Sequence, residues 1–152
     1  MTAMAGRCFT VGVFQDPQWA ARGVEALVRH GFAPESLSII GKDSPELRVL
    51  IAKYTSAEPE NLSIERVGPA VAIGPFVAEL QGSAGDLASA GIARTIDRAG
   101  FQRHDGLIYE QLTARGGVLV AVHNEPRAAD ALATLHAYGG GNAAIGAWRG
   151  RV

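Results

Sequence analysis

Apolar residues form a short run near the start of the chain, and turn and helix signals follow it. The run Cys8–Phe14 is rich in Phe and Val, which predicts a buried β-strand. Asp16-Pro17 then supplies an N-cap and a first-turn proline, and apolar residues recur at helical spacing up to Gly31. Leu37–Gly41 is again apolar, so residues 8–41 are predicted to form a βαβ unit.

The last third of the chain has the same order of signals. Val118–His123 is predicted to be a strand, and Asn124 or Glu125 precedes the proline that opens a helix. Three consecutive glycines end that helix, and Ala144–Trp148 is predicted to be a short final strand. Residues 117–148 therefore form a second predicted βαβ unit.

The two units align with a constant offset, since Val11–Pro17 lies over Val120–Pro126 at a distance of 109 positions. Neither unit can bury both faces of its strands alone. We therefore predict one α+β domain over residues 1–152, a ferredoxin-like sandwich from two βαβ repeats. In this arrangement the opening and closing strands share one sheet.

Between the units lies a Gly/Ala-rich insertion over residues 42–116, which is too long for a simple loop. Its pattern predicts a strand within Leu62–Val67 and three helices, at residues 46–54, 84–99 and 105–115. We expect the insertion to pack over the open sheet face or to form a subunit interface. An uncovered apolar face would drive association, so a homo-oligomer, most simply a dimer, is predicted.

An apolar segment over residues 68–80 is interrupted by Pro69 and Pro75. The two prolines argue against a central strand and favour an edge strand or an extended packing segment. The pattern leaves open whether this segment is core, interface or membrane-facing. It is too short to span a bilayer.

Composition and charge narrow the function classes. With 47% hydrophobic and 19% charged residues the chain can build a core, and its net charge of −1 excludes a strongly basic nucleic-acid binder. The single cysteine, Cys8, excludes an intrachain disulfide and a multi-cysteine zinc site. No signal peptide and no run of about 18 apolar residues is found, so we expect a cytoplasmic protein without a membrane span.

The sequence resembles a bacterial stress-protein family at Gly100-Phe101, Tyr109-Glu110 and Gly116–Val122. This is the YflT-type, or heat-induced general stress protein, domain, which carries a Gly-Ile-Pro, Tyr-Glu and Gly-Gly-x-Leu-Val-x-Val pattern. The family's Ile-Pro is Phe101-Gln102 here, and the Gly-rich middle is shorter and broken by prolines. The resemblance implies a stress context and a fold, but no reaction.

Three residues are the candidates for ligand binding. Tyr109 would line a pocket and Glu110 would serve as an acid, a base or a partner-binding carboxylate. His123 ends a strand just before a helix, which is a common place for residues that face a ligand. In the structural alternative Tyr109 packs on the sheet, Glu110 caps or pairs, and His123 is solvated or satisfied in the core.

Other polar features predict no metal or cofactor. His30, His104, His123 and His136 lack metal-ligand spacing. Gly116-Gly117 precedes a strand, so it is interpreted as a helix end rather than a phosphate loop. The carboxylates at Asp16-Pro17 and Glu125-Pro126 would repel a phosphate at those helix starts. Cys8 is interpreted as a small apolar residue, and Trp19 and Trp148 as core or interface residues.

Three functions remain open from the sequence. The first is a stress-associated, non-enzymatic module that binds a small ligand or a protein, or that assembles. The second is a small-molecule enzyme with a cleft between sheet and insertion that uses Tyr109, Glu110 and His123. The third is association with a membrane surface through residues 68–80.

Overall fold

A computed structural model describes residues 9–56, 58–123 and 125–145. The strands in these residues are β1 (Phe9–Phe14), β2 (Leu37–Lys42), β3 (Glu60–Ile64), β4 (Gly68–Ile73), β5 (Val118–His123) and β6 (Gly141–Ile145). The α-helices are α1 (Pro17–Arg29), α2 (Pro45–Tyr54), α3 (Pro75–Gln81), α4 (Leu87–Ala90), α5 (Ile92–Arg98), α6 (Arg103–Ala114) and α7 (Ala128–Ala137). Short 3-10 helices lie at Pro34–Ser36 and Glu125–Arg127.

The strands within the described residues form one antiparallel sheet in the order β3-β4-β2-β5-β1-β6. β1 pairs with β5 over its whole length, from Phe9 opposite His123 to Phe14 opposite Val118, and pairs with β6 on its other side. The prediction that the opening and closing strands share one sheet is confirmed. β1 and β2 run in the same direction with β5 between them, so the two βαβ units interleave.

Helices cover both faces of this sheet. Val118, Val120 and Val122 of β5 pack in a core with α1, α2 and α7, whereas Leu119 and Ala121 pack in a second core with α3–α6. In a strand that is buried on both faces, apolar and polar residues do not alternate. This explains the continuous apolar run of β5. Helices α3–α6 of the insertion therefore cover the face that the repeats alone would leave open, as expected, whereas α2 packs on the other face.

The first helix begins and ends as the sequence predicts. The Oδ1 atom of Asp16 accepts a hydrogen bond of 2.9 Å from the Trp19 N–H, and Pro17 occupies the first helical turn. At the other end Gly31 has φ = 92°, and the Phe32 N–H donates to the Leu27 carbonyl at 3.1 Å. This is the hydrogen-bond pattern of a glycine C-cap.

The second unit does not copy this helix start. Residues Glu125–Arg127 form a 3-10 turn, and α7 begins only at Ala128, with Arg127 as an N-cap whose side chain makes no capping hydrogen bond. The prediction of a helix that starts at Pro126 under a Glu125 cap is therefore wrong. The alternative cap, Asn124, lies outside the described residues.

The apolar segment 68–80 is core, and the prediction of an edge strand is wrong. Its first part is β4, an inner strand between β3 and β2, and its second part is helix α3. The residues of β4 that pair with β2 are Ala70–Ile73, and Pro69 lies before them. The missing N–H of Pro69 therefore removes no hydrogen bond from the pairing of β4 with β2. Pro75 occupies the first turn of α3, where no donor is needed. Because the apolar side chains are buried within the chain, they are not available to a membrane surface.

Residues 84–99 form two short helices rather than the single helix predicted. The break is at Gly91, which has φ = 91° and lies between α4 and α5. The positive φ favours glycine, and a Cβ atom there would lie 2.9 Å from the Glu110 carboxylate. The last strand also differs, since β6 begins at Gly141; residues 146–148 of the predicted strand lie outside the described residues.

The other predicted elements of the insertion agree closely with the structure. Helices α2 and α6 match the predicted ranges to within two residues, and β3 ends at Ile64 rather than Val67. Gly116-Gly117 closes α6, because the Gly117 N–H donates to the Leu112 carbonyl at 2.8 Å. Within the described part of the chain, every helix is too short or too polar to cross a lipid bilayer.

We predict that Gly23→Ala destabilises the protein by about 1–3 kcal/mol, although alanine usually favours a helix interior by about 1 kcal/mol. A Cβ atom on Gly23 would overlap the ring of Phe14, which is fully buried. Urea denaturation measures the change, and Gln18→Ala on the exposed side of α1 is the control. A rise in stability of the Gly23 variant would show that the Phe14 ring can move aside.

Candidate functional site

Tyr109 is part of the core rather than of an open pocket. Its side chain is fully buried, and its hydroxyl donates to the Asn142 carbonyl at 2.6 Å, with the Val11 carbonyl at 3.4 Å. Burial, and secondarily the charge of Asp105, raises the pKa of the Tyr109 phenol well above its usual range. The residue therefore ties α6 to the strands β1 and β6.

Glu110 follows Tyr109 on α6 and therefore faces another direction. It is only 6% exposed, and its Oε2 atom accepts a hydrogen bond of 3.2 Å from the Ala93 N–H. Ala93 lies in the first turn of α5, where backbone N–H groups have no intrahelical acceptor. Glu110 thus caps a helix, and it also lines a surface hollow that is described below.

His123 ends β5, and its ring stacks on that of Phe9 with centroids 4.6 Å apart. Glu110 lines the hollow, whereas His123 and Tyr109 do not. The three sequence candidates therefore do not face that hollow together. Their structural roles match the alternative considered from the sequence.

The remaining histidines lie apart on the surface. His30 follows α1 and His136 is in the last turn of α7, while His104 contacts Asp105 at 3.3 Å. Among the residues that the structure describes, no three His, Cys, Asp or Glu side chains are placed to hold a metal ion.

Trp19 is 38% exposed on α1, where its ring lies beside Gly139 and below the guanidinium of Arg22. It is therefore not a core residue, and its surface position fits the interface interpretation. The other residues considered with it, Cys8 and Trp148, lie outside the described residues.

A concave site lies between α1 and α2, a groove with a volume of about 930 Å³. It exists because β1 and β2 run in the same direction, so the helices that follow them begin at the same end of the sheet. Each begins with a capping side chain and a proline, Asp16-Pro17 in α1 and Ser44-Pro45 in α2. We call this site the α1–α2 groove; its lining residues are Asp16, Pro17, Gln18, Ala21, Lys42, Asp43, Ser44, Pro45, Glu46, Val49, Leu50, Lys53, Tyr54, Gly116 and Val118.

The groove combines an apolar floor with a charged rim. Leu50 and Val118 are buried beneath it, and Val49 is 66% exposed, which is unusual for a large apolar side chain. Lys42 and Lys53 place two ammonium groups on the rim.

Two of the carboxylates in the groove already have partners. Asp16 accepts the Trp19 N–H, and Asp43 binds Arg48 at 2.7 Å. The hydrogen bonds from Arg48 lower the pKa of Asp43, which stays ionised at neutral pH.

Sequence reasoning missed this groove, although a signal for it was present. The pairs Asp16-Pro17 and Ser44-Pro45 each follow a predicted strand and open a helix. Both helix starts were predicted, but their proximity depends on β1 and β2 being parallel in the same sheet.

A second hollow, of about 730 Å³, lies on the opposite face of the sheet, and we call it the arginine hollow. It is formed by the turn between β3 and β4 and by the helices α4, α5 and α6. Its lining residues are Glu65, Arg66, Ser89, Ala90, Ala93, Arg94, Asp97, Arg103, Leu107 and Glu110.

Comparison with known proteins gives no match: no family model, no curated protein and no solved structure is significantly similar to the chain. The resemblance to the YflT-type family stays a prediction.

We predict that Tyr109→Phe lowers the free energy of unfolding by about 1–2 kcal/mol at neutral pH, because the Asn142 carbonyl loses its donor.

The wild type will also lose stability above about pH 10. There the phenol ionises in the unfolded chain but stays protonated in the native core, where its pKa is raised.

This alkaline loss reaches about 1.4 kcal/mol per pH unit for one phenol, and Tyr109→Phe should remove it. Urea denaturation across pH 8–11 measures it, with Tyr54→Phe as the control that retains the loss. An unchanged alkaline slope in Tyr109→Phe would contradict the assignment.

Proposed function

We propose that the chain is a non-enzymatic binding module whose ligand site is the α1–α2 groove. The observation that carries this is a groove of about 930 Å³ with an apolar floor and a charged rim. Small-molecule sites are typically concave, mostly apolar and about 300–1,000 Å³ in volume.

The charges on the rim favour a ligand with an apolar body and an anionic group. Asp43 is paired with Arg48, so the ammonium groups of Lys42 and Lys53 face the carboxylates of Glu46 and of Asp16, which keeps its charge as a helix cap. An anion near Lys42 would also face the start of α2, where the helix dipole is favourable.

The alternative, a small-molecule enzyme that uses Tyr109, Glu110 and His123, has less support. Tyr109 is buried with its hydroxyl bound to a backbone carbonyl, and Glu110 caps α5. A general acid or base has to reach the substrate through a pocket, and Tyr109 does not line either site described above.

We further propose a ferredoxin-like origin from two βαβ repeats, a stress context and a cytoplasmic location. The order β2-β5-β1-β6 supports the first, since strands of the two units alternate in the sheet. The stress context rests on the resemblance to the YflT-type family at Tyr109-Glu110 and Gly116–Val122.

A homodimer also stays a proposal, although the open sheet face that first motivated it is covered by α3–α6. The exposed Trp19 is now the best support for it, since aromatic residues are enriched in interfaces. Light scattering after size exclusion is the test. A mass of twice 15.9 kDa that falls to the monomer mass in Trp19→Ser supports the dimer, and a monomer in the wild type contradicts it.

We predict that 8-anilinonaphthalene-1-sulfonate, an apolar anion, binds in the α1–α2 groove, and that Val49→Glu weakens this binding at least about tenfold by placing a charge beside the probe. Fluorescence titration measures the affinity, and amide chemical shifts locate the probe. Shifts are expected at Ala21, Leu50 and Lys53, which line the groove.

The matched control is Gln111→Glu, which adds the same charge to the exposed side of α6. It should leave the affinity unchanged. Binding that is insensitive to Val49→Glu, or amide shifts confined to other surfaces, would contradict the proposed site.

A further inference from the structure

The arginine hollow lies apart from the α1–α2 groove and contains groups of both charges. The guanidinium groups of Arg66, Arg94 and Arg103 line it, and so do three carboxylates, those of Glu65, Asp97 and Glu110. Each set has one member in each of three elements: the turn between β3 and β4, α5 and α6.

The three arginines form no close ion pair in the part of the chain that the structure describes, although the charge of Arg94 acts on Asp86. Arg48 and Arg98 each bind a carboxylate within 3 Å, whereas Arg66, Arg94 and Arg103 make no hydrogen bond or ion pair to any other described residue. Their donors face solvent around the hollow. A guanidinium presents a planar set of donors that matches a carboxylate.

Arg66 is held in a backbone conformation that favours glycine. It has φ = 70° in a turn that is closed by the Val67 N–H donating to the Ile64 carbonyl at 2.9 Å. The turn is anchored on α4, because the Glu65 N–H donates to the Ala88 carbonyl at 2.8 Å. A non-glycine residue in this region is unfavourable, and such residues concentrate at functional sites.

Glu110 and Arg66 converge on one point of the hollow. The Oε2 atom of Glu110 and the Nη1 atom of Arg66 lie 2.9 Å and 3.7 Å from the position that a Cβ atom on Gly91 would occupy. Because Gly91 has no side chain, both groups can approach this position. A carboxylate that is more than nine-tenths buried and a guanidinium thus face the same space without forming an ion pair.

We propose that the arginine hollow binds a small zwitterion of the α-amino acid class. The ligand's carboxylate would lie among Arg66, Arg94 and Arg103, and its ammonium group would lie at Glu110. A simple anion would be repelled by the buried Glu110, and a simple cation by the arginines. Only a ligand with both charges satisfies both sets of groups. The proposal for this site is independent of the function proposed for the α1–α2 groove.

The test is an amide chemical-shift titration of the full chain with each of the twenty standard L-amino acids. Acetate, methylammonium and inorganic phosphate serve as probes with one kind of charge. At least one amino acid should give saturable shifts at Arg66, Ala93 and Arg94, and should bind at least about tenfold more tightly than each of the three probes.

Two variants test the two charge sets. Arg94→Gln and Glu110→Gln should each weaken amino-acid binding about tenfold or more. The glutamine at position 110 keeps an oxygen that can accept the Ala93 N–H, so the α5 cap is preserved. Arg115→Gln, which removes an exposed arginine at the other end of α6, should leave the affinity unchanged.

Arg66→Gly separates binding from folding. Glycine relieves the positive φ, so the melting temperature should rise by about 2–4 °C while amino-acid binding weakens. The proposal is overturned if no amino acid shifts these amides. It is also overturned if phosphate binds more tightly than every amino acid and Glu110→Gln strengthens it, since the hollow would then be a simple anion site.

Discussion

The antiparallel pairing of β1 with β5 positions the rest of this fold. The two strands are paired along their whole length in the interior of the sheet, and their side chains are buried on both faces. Apolar side chains on two faces need two layers of helices to keep them from water. The βαβ units supply α1 and α7 on one face, and the insertion supplies α3–α6 on the other, so the insertion is part of the core.

Both concave sites follow from this three-layer arrangement. The α1–α2 groove forms where two parallel strands end and their capped helices diverge. The arginine hollow forms on the other face, where the chain is broken into short helices by Gly91 and Gly82 and leaves space between α5 and the turn after β3. The floor of the first site is apolar because it opens onto the core beside Val118. The second is polar because its walls are exposed helix surfaces.

The core and the sites share some residues, which explains why the sequence candidates were ambiguous. Tyr109 and Glu110 are adjacent on α6. Tyr109 is a core residue whose hydroxyl contacts the chain at two strands, whereas Glu110 caps α5 and lines the arginine hollow. A buried polar side chain needs a hydrogen-bond partner wherever it lies. Its presence in a motif therefore does not distinguish a structural role from a functional one.

The sequence by itself determined the local elements and the common sheet. Runs such as Val118–His123, the cap at Asp16-Pro17 and the glycine at position 31 act within a few residues, so their signals can be recognised in the chain. The edge strand predicted from Pro69 and Pro75 is wrong because a proline is tolerated wherever the backbone needs no N–H donor. The sequence does not show where that is, since it depends on the neighbouring elements.

Only the tertiary structure decided where the sites lie. Val49 and the two lysines of the groove carry no motif, and Arg66, Arg94 and Arg103 are separated by up to 37 positions along the chain. They come together because two helices begin at the same end of the sheet and because a hairpin turn packs on α4. Such contacts join residues distant in sequence, and no periodicity in the chain records them.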